Sequence, residues 1–107
     1  MYYHITFDID WAPDDCIELC LNILKKRNVK ATFFATHKSD ILNEIKKNGH
    51  EIGIHPNFDY FINPKNYSPK SIQSADNIVK DLLKIAKNAV SVRSHSTTYS
   101  SKLLKVF

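Results

Sequence analysis

Asp8, Asp10, His55, Arg93 and His95 are the side chains in this sequence whose types and places can do chemistry together. Each falls at the C-terminal end of a segment with strand character. Ligands of parallel α/β folds bind at that edge, where the strand-to-helix loops are free to vary. Tyr2 to Asp10 alternates strictly, with Tyr3, Ile5, Phe7 and Ile9 on one face and His4, Thr6, Asp8 and Asp10 on the other. The pair Asp8 and Asp10 therefore points to one side, a few ångströms apart. Two close carboxylates repel each other, and a cation beside them is the usual remedy. A histidine from a neighbouring strand end adds the nitrogen donor expected of a catalytic divalent site with open positions.

Each of these residues also has a plain structural use, and it is their company that argues for a site. An aspartate at a strand end is equally a helix cap or turn residue. A histidine alone in the place of His55 is more often a hydrogen-bonded surface group. His50 shares the apolar face of Ile52 and Ile54 and reads as packing, while His37 beside Lys38 reads as exposed loop. His4, pointing the same way as Asp8, is either a partner standing behind the site or an interior polar residue. Asp14 and Asp15 are first-turn helix acids. The only cysteines, Cys16 and Cys20, share one helix face in a spacing that suits core packing and not a disulfide.

The elements that must position these groups follow from the pattern. After the first strand, an acidic first turn opens a helix with Ile17, Cys20, Leu21 and Leu24 at helical spacing, ending at Lys25–Asn28. Val29 to Thr36 is β-prone. Ser39 is an N-cap for a helix over Asp40 to Asn48, which Gly49 stops, and Glu51 to His55 is a third strand. Pro56 to Pro69, rich in Asn and Pro, reads as a long loop, and such loops are often functional. Ser71 to Asn88 carries a stripe of Ile72, Ala75, Ile78, Val79, Leu82, Leu83 and Ala86 and predicts the longest helix. Ala89 to Arg93 is a fourth strand, and Ser100 or Ser101 caps a last helix from Lys102 onward. The fold class is α/β, with parallel strands joined by crossover helices. Four strands leave a sheet edge exposed, so the expectation is part of a longer domain.

Composition agrees with one soluble domain at most. The 107 residues are 43% hydrophobic and 24% charged, and the formal net charge of +4 comes from lysines spread along the chain. No basic stripe with interleaved aromatics favours nucleic acid. No apolar run approaches the roughly 18 residues of a membrane span, and Met1 to Asp10 lacks the order of a signal peptide, so a cytoplasmic protein is expected. Oligomeric state is not legible.

Three strings, Thr6-Phe7-Asp8-Ile9-Asp10, Ala31-Thr32-Phe33-Phe34 and Gly49-His50-Glu51-Ile52-Gly53-Ile54-His55, resemble in order and spacing the opening half of the polysaccharide deacetylase superfamily, carbohydrate esterase family four. The resemblance covers most of the chain. It implies part of a distorted barrel of parallel strands and helices, in a domain of about twice this length. It also implies metal-dependent hydrolysis of an N-acetyl or O-acetyl group on a saccharide or sugar-linked precursor, with a divalent metal, zinc first, as cofactor. Carried over, Asp8 is the general base and Asp10 a metal ligand, with Ile9 between them where the family usually has adjacent aspartates. His55 matches the first histidine of the second motif. The second histidine's position holds Asp59, so either Asp59 ligates through oxygen, His95 supplies the imidazole instead, or metal affinity is lost.

Arg93 resembles the arginine that holds the catalytic carboxylate, although the proline and aromatic of that motif are missing around it. Trp11, Asn57 and Phe58 are the candidate substrate contacts, with Tyr60 and Phe61 nearby as further aromatics or loop packing. The family's general acid would lie beyond Phe107, so weak or no turnover is expected of these 107 residues alone. Two other readings keep their place. One is an amidohydrolase acting on a non-sugar amide, and the other is a metal-free binding or relic module marked by Asp59.

Overall fold

The computed structural model describes residues 2–62, 65 and 74–107. Three parallel strands, β1 (Thr6–Asp8), β2 (Thr32–Ala35) and β3 (Glu51–Ile54), lie side by side in the order β1-β2-β3. Helix α1 (Asp14–Arg27) crosses from β1 to β2 and α2 (Ile41–Lys47) from β2 to β3. Parallel neighbours require such crossovers, as the alternation of elements predicts. A short α3 (Asp59–Ile62) and the longer α4 (Ala75–Ile85) follow, then two 3-10 turns at His95–Thr97 and Leu103–Val106. The described strands make an open sheet; barrel closure is not among them.

Local sequence accounts for the element ends. Asp14 and Asp15 occupy the first turn of α1 and Lys25, Lys26 and Arg27 its last, opposite in sign to the helix dipole at each end. Asn28 then takes the left-handed conformation at φ 52°, and its N–H and that of Val29 close on the carbonyls of Lys25 and Leu24. Ser39 accepts the N–H of Ile41 at the start of α2, and Gly49 at φ 75° ends it. Ser74 caps α4 by accepting from the N–H of Asn77. The buried stripes Ile17, Leu21 and Leu24 of α1, Ile41, Leu42 and Ile45 of α2, and Val79, Leu82 and Ala86 at α4 meet Phe33, Ala35, Ile52 and Ile54 of the sheet in one core.

Four expectations need revision. The first strand is shorter than Tyr2–Asp10: Tyr2 to Ile5 are exposed, and the chain turns at Asp10, where φ is 45°. The ladder to β2 nonetheless runs from the carbonyl of Ile5 to the N–H of Ile9. The fourth strand, Ala89–Arg93, is reduced to a single bridge between Ile54 and Val92, because the chain is still turning through Asn88 at φ 67° and Val90 stands out in solvent. In the long loop, α3 forms where Asn57 Oδ1 accepts the N–H of Asp59, while Asn63, Asn66, Pro64, Pro69 and the expected first helical turn at Ser71–Gln73 lie outside the described residues. The final helix is a 3-10 turn whose Leu103 N–H is taken by Ser100 Oγ.

His50 is core, as its face predicts. Its ring packs edge-on to Phe33, and Nδ1 accepts the N–H of Ala31 at 3.1 Å. Burial first, and the Lys30 charge second, push its pKa below 6.5. The folded protein thus binds a proton on His50 less readily than the unfolded chain. Its stabilising contribution is complete above 6.5 and shrinks as the pH falls through and below that value. Urea unfolding at pH 8 and pH 5.5 is expected to show lower stability at the acid end, with a smaller difference in His50→Gln, which keeps an acceptor but does not titrate.

Candidate metal centre

The C-terminal ends of the strands bring together the groups that sequence reasoning selected. His55 follows β3 and is 3% exposed. Its Nδ1 lies 2.6 Å from the carbonyl oxygen of Arg93, a group that only accepts, so the ring proton sits on Nδ1. Nε2 faces Asp10 Oδ1, 3.2 Å away, and His95 Nδ1, 3.4 Å away. His95 Nδ1 is itself 3.1 Å from Asp10 Oδ1. One donor atom each from Asp10, His55 and His95 falls within 4.8 Å of the others.

The two carboxylates of the Asp-x-Asp pair have different surroundings. Asp8 Oδ1 accepts from Arg93 Nη1 at 2.9 Å, and Arg93 Nη2 donates to Thr6 Oγ1 at 2.9 Å. The guanidinium lies over the Phe34 ring, its carbon 4.5 Å from the centroid. Asp8 is thereby balanced by a held cation, while its other oxygen stands 4.0 Å from His55 Nε2. Among the described residues Asp10 meets only the two imidazoles, and no lysine or arginine. The Asp10 carboxylate and one nitrogen of each imidazole converge on one point, where a cation would make every contact attractive. Two imidazole nitrogens, one carboxylate oxygen and space for further ligands suit zinc. His55 also has the backbone-held second nitrogen typical of a metal ligand.

The loops that carry these donors are unusual. Asp10 and Trp11 have φ of 45° and 60°, and Ser96 and Thr97, just after His95, have φ of 53° and 52°. Left-handed conformations at non-glycine residues cost roughly 1–3 kcal/mol each and collect at functional sites. Here they turn the chain sharply after Asp10 and after His95. The Trp11 N–H is held by Thr36 Oγ1 at 3.1 Å, and its half-exposed ring stands edge-on to His95, 5.6 Å between centroids.

Asp59, at the start of α3, is not within the three-donor cluster. Its Oδ2 is 3.9 Å from His95 Nε2, on the far side of that ring from Asp10, and its Oδ1 takes the Thr98 hydroxyl at 3.3 Å. Trp11 and Asn57 line a recess of about 240 Å³ beside His55. Phe58 is corrected: it is fully buried, packed against Phe61 and Phe107, and so is core and not a surface for substrate. An aromatic flanked by polar residues in a loop looked like a contact, but as the hydrophobic side chain after Asn57 it anchors α3. His4 is exposed at the opposite end of the sheet, beside Lys30 and Glu51, and so neither supports Asp8 nor lies inside. Asp14 accepts the Ser39 hydroxyl in the first turn of α1, as a helix acid and not a site residue.

Sequence reasoning missed Thr6, Phe34, Thr36 and Thr98. Thr6 shares the polar face of Asp8, which was the available signal; the other three are recognised only from their contacts.

The cluster sits at the C-terminal strand ends of a parallel α/β fold, the edge where such folds bind ligands. Residues 5–107 match the sequence model of the WbmS-like polysaccharide deacetylase family, and the chain belongs to that family. A crystal structure from Bordetella bronchiseptica, described as a candidate polysaccharide deacetylase involved in O-antigen biosynthesis, is similar with a TM-score of 0.84 and 34% identity. The match covers 96% of this chain and 41% of that one, so this chain spans less than half of that neighbour's length. No curated protein matches. Among the described residues no helix is long and apolar enough to cross a membrane.

Proposed function

We propose that the site serves a metal-dependent deacetylase that hydrolyses an N-acetyl or O-acetyl group on a saccharide or sugar-linked precursor. Asp10, His55 and His95 would hold the ion, with zinc the best match to two imidazoles and a carboxylate. A divalent ion, when bound, supplies Lewis-acid polarisation of the acyl carbonyl. Asp8 is the general base. Its carboxylate is aimed by Arg93, which Thr6 and the Phe34 ring fix in turn. Asp8 takes the proton of the attacking water while its own charge stays balanced by the guanidinium. Trp11 and Asn57 contribute to the substrate side of the recess.

His95 takes the part that the missing second-motif histidine would play, and Asp59 stands behind it. The relic reading loses ground for that reason: the substitution at Asp59 is matched by an imidazole arriving from another segment. The single observation that carries the proposal is the placement of His55 Nε2, set by the 2.6 Å contact of Nδ1 with the Arg93 carbonyl and facing both Asp10 and His95.

Metal analysis tests it. Purified protein reconstituted with zinc and desalted is expected to retain about one equivalent, and cobalt substitution to give a visible spectrum of a low-coordinate nitrogen and oxygen site. His55→Ala and His95→Ala are each expected to weaken retention by well over the roughly 10–100-fold typical of groups behind a ligand. Protein that holds no zinc at micromolar concentration, with thermal stability indifferent to chelator, would sink the metal reading.

A further inference from the structure

Two clefts run one after the other along α4. The first is the recess beside the metal centre, lined by Trp11, His55, Asn57 and, from α4, Asp81 and Leu82. The second, of about 310 Å³, lies between α2 and α4 and is lined by Lys38, Asp40, Lys46 and Lys84. Ile85 lines both. At their boundary the Asp81 carboxylate is paired with Lys84 Nζ at 2.7 Å, so the acid of the first cleft is neutralised by a base of the second. Among the described residues neither Lys38 nor Lys46 has an ion-pair partner, and Asp40 is the only acid of the second cleft. With Lys84 taken by Asp81, Lys38 and Lys46 against Asp40 leave a local excess of positive charge in a concave surface, which concentrates anions. Ile78 to Ile85, at 1.5 Å per helical residue, spans roughly 10 Å along the two clefts.

We propose that the second cleft binds the phosphates of a sugar diphosphate substrate, with the pyranose in the recess and its anomeric phosphates over Lys38 and Lys46. This inference rests on the deacetylase reading and narrows its substrate. The chemistry is consistent within one sugar ring: an acetamido group at C2 is next to the anomeric carbon, so the acyl group and the phosphates leave the ring side by side. A finished neutral polymer carries only another sugar at that carbon and leaves the lysines unused. Ammonium groups recognise phosphate as point charges, without the planar geometry that arginine imposes. The cleft therefore selects for charge, and the recess for the sugar.

Binding is measured directly, in metal-free buffer so that phosphate cannot bind through an ion. Calorimetric titrations use UDP-N-acetylglucosamine, a short prenyl diphosphate-linked N-acetylglucosamine, N-acetylglucosamine and chitotriose. At least one diphosphate probe is expected to bind about ten-fold or more tightly than either uncharged probe, and to weaken as salt is raised. A nucleotide arm stronger than the prenyl arm identifies a nucleotide-linked source, and the reverse a lipid-linked one. The double variant Lys38→Ala with Lys46→Ala is expected to lose about ten-fold of that preference, and Lys38→Glu with Lys46→Glu more, while zinc retention is unchanged. Equal affinity for charged and uncharged probes, or a preference that survives the charge reversal, overturns the proposal. Diphosphate preference without zinc retention leaves it standing and removes the metal reading. Acetate release from chitotriose without any diphosphate preference does the opposite.

Discussion

Where acetate release from an acetylated sugar is measurable, Asp8→Asn is expected to lower it about 10²–10⁴-fold, while zinc retention stays within a few-fold of the unsubstituted protein whatever the turnover. The amide is nearly the same size and still accepts from Arg93 Nη1, so the 2.9 Å contact survives in form. What is lost is basicity, because an amide does not take a proton from water. Asp10→Asn is expected to separate from it cleanly. Asp10 is the carboxylate between the two imidazoles, and weakening it as a ligand costs the metal first and the rate as a consequence. Measured side by side, Asp8→Asn should keep zinc and lose turnover, and Asp10→Asn should lose both, with excess zinc restoring part of the rate. If Asp8→Asn instead released zinc as readily as Asp10→Asn, the two roles would have to be merged.

The division of labour between these aspartates was only half legible in the sequence. Strand alternation places Asp8 and Asp10 on one side, and both do reach the site. They reach it by different means: Asp8 from the end of β1, Asp10 from a left-handed turn just past it. Alternation carries no information about a turn at φ 45°, so the neutralisation of one carboxylate and the exposure of the other to two imidazoles emerged only with Arg93 and His95 in place. Those two come from a segment whose strand expectation fails except at one bridge. The bridge suffices: hydrogen bonds from Arg93 N–H to the Ile54 carbonyl and from His95 N–H to the Pro56 carbonyl set both side chains against β3.

The helices were easier to read, because their apolar stripes and charged ends repeat the same message every turn. Asn28 and Gly49 mark where α1 and α2 end for a reason visible in residue type, namely their tolerance of positive φ. Phe58 misled because hydrophobicity in a polar loop has two meanings, contact and anchor, and only its burial decides between them. Asp59 was ambiguous for the opposite reason. A carboxylate at that position can reach an ion or stand behind a histidine, and it lies across the His95 ring from Asp10.

Gly53→Ala is expected to disturb the packing and the site together. A Cβ there would fall 2.7 Å from Phe34 Cδ1 and Cε1 and 2.6 Å from Ser91 Oγ, distances that real methyl groups do not tolerate. Overpacking of this kind costs roughly 1–3 kcal/mol, read as a lowered urea midpoint. The site should suffer as well. Phe34 is the surface on which the Arg93 guanidinium rests, and Arg93 in turn holds Asp8, so displacing the ring by a few tenths of an ångström misplaces the base. A second change tells packing from positioning. Adding Phe34→Leu to Gly53→Ala makes room for the methyl group and is expected to recover part of the stability. It cannot recover the rate, because leucine offers the guanidinium no ring face. Recovery of stability and rate together would mean that Arg93 holds Asp8 without help from the ring beneath it, and that Gly53 serves packing alone.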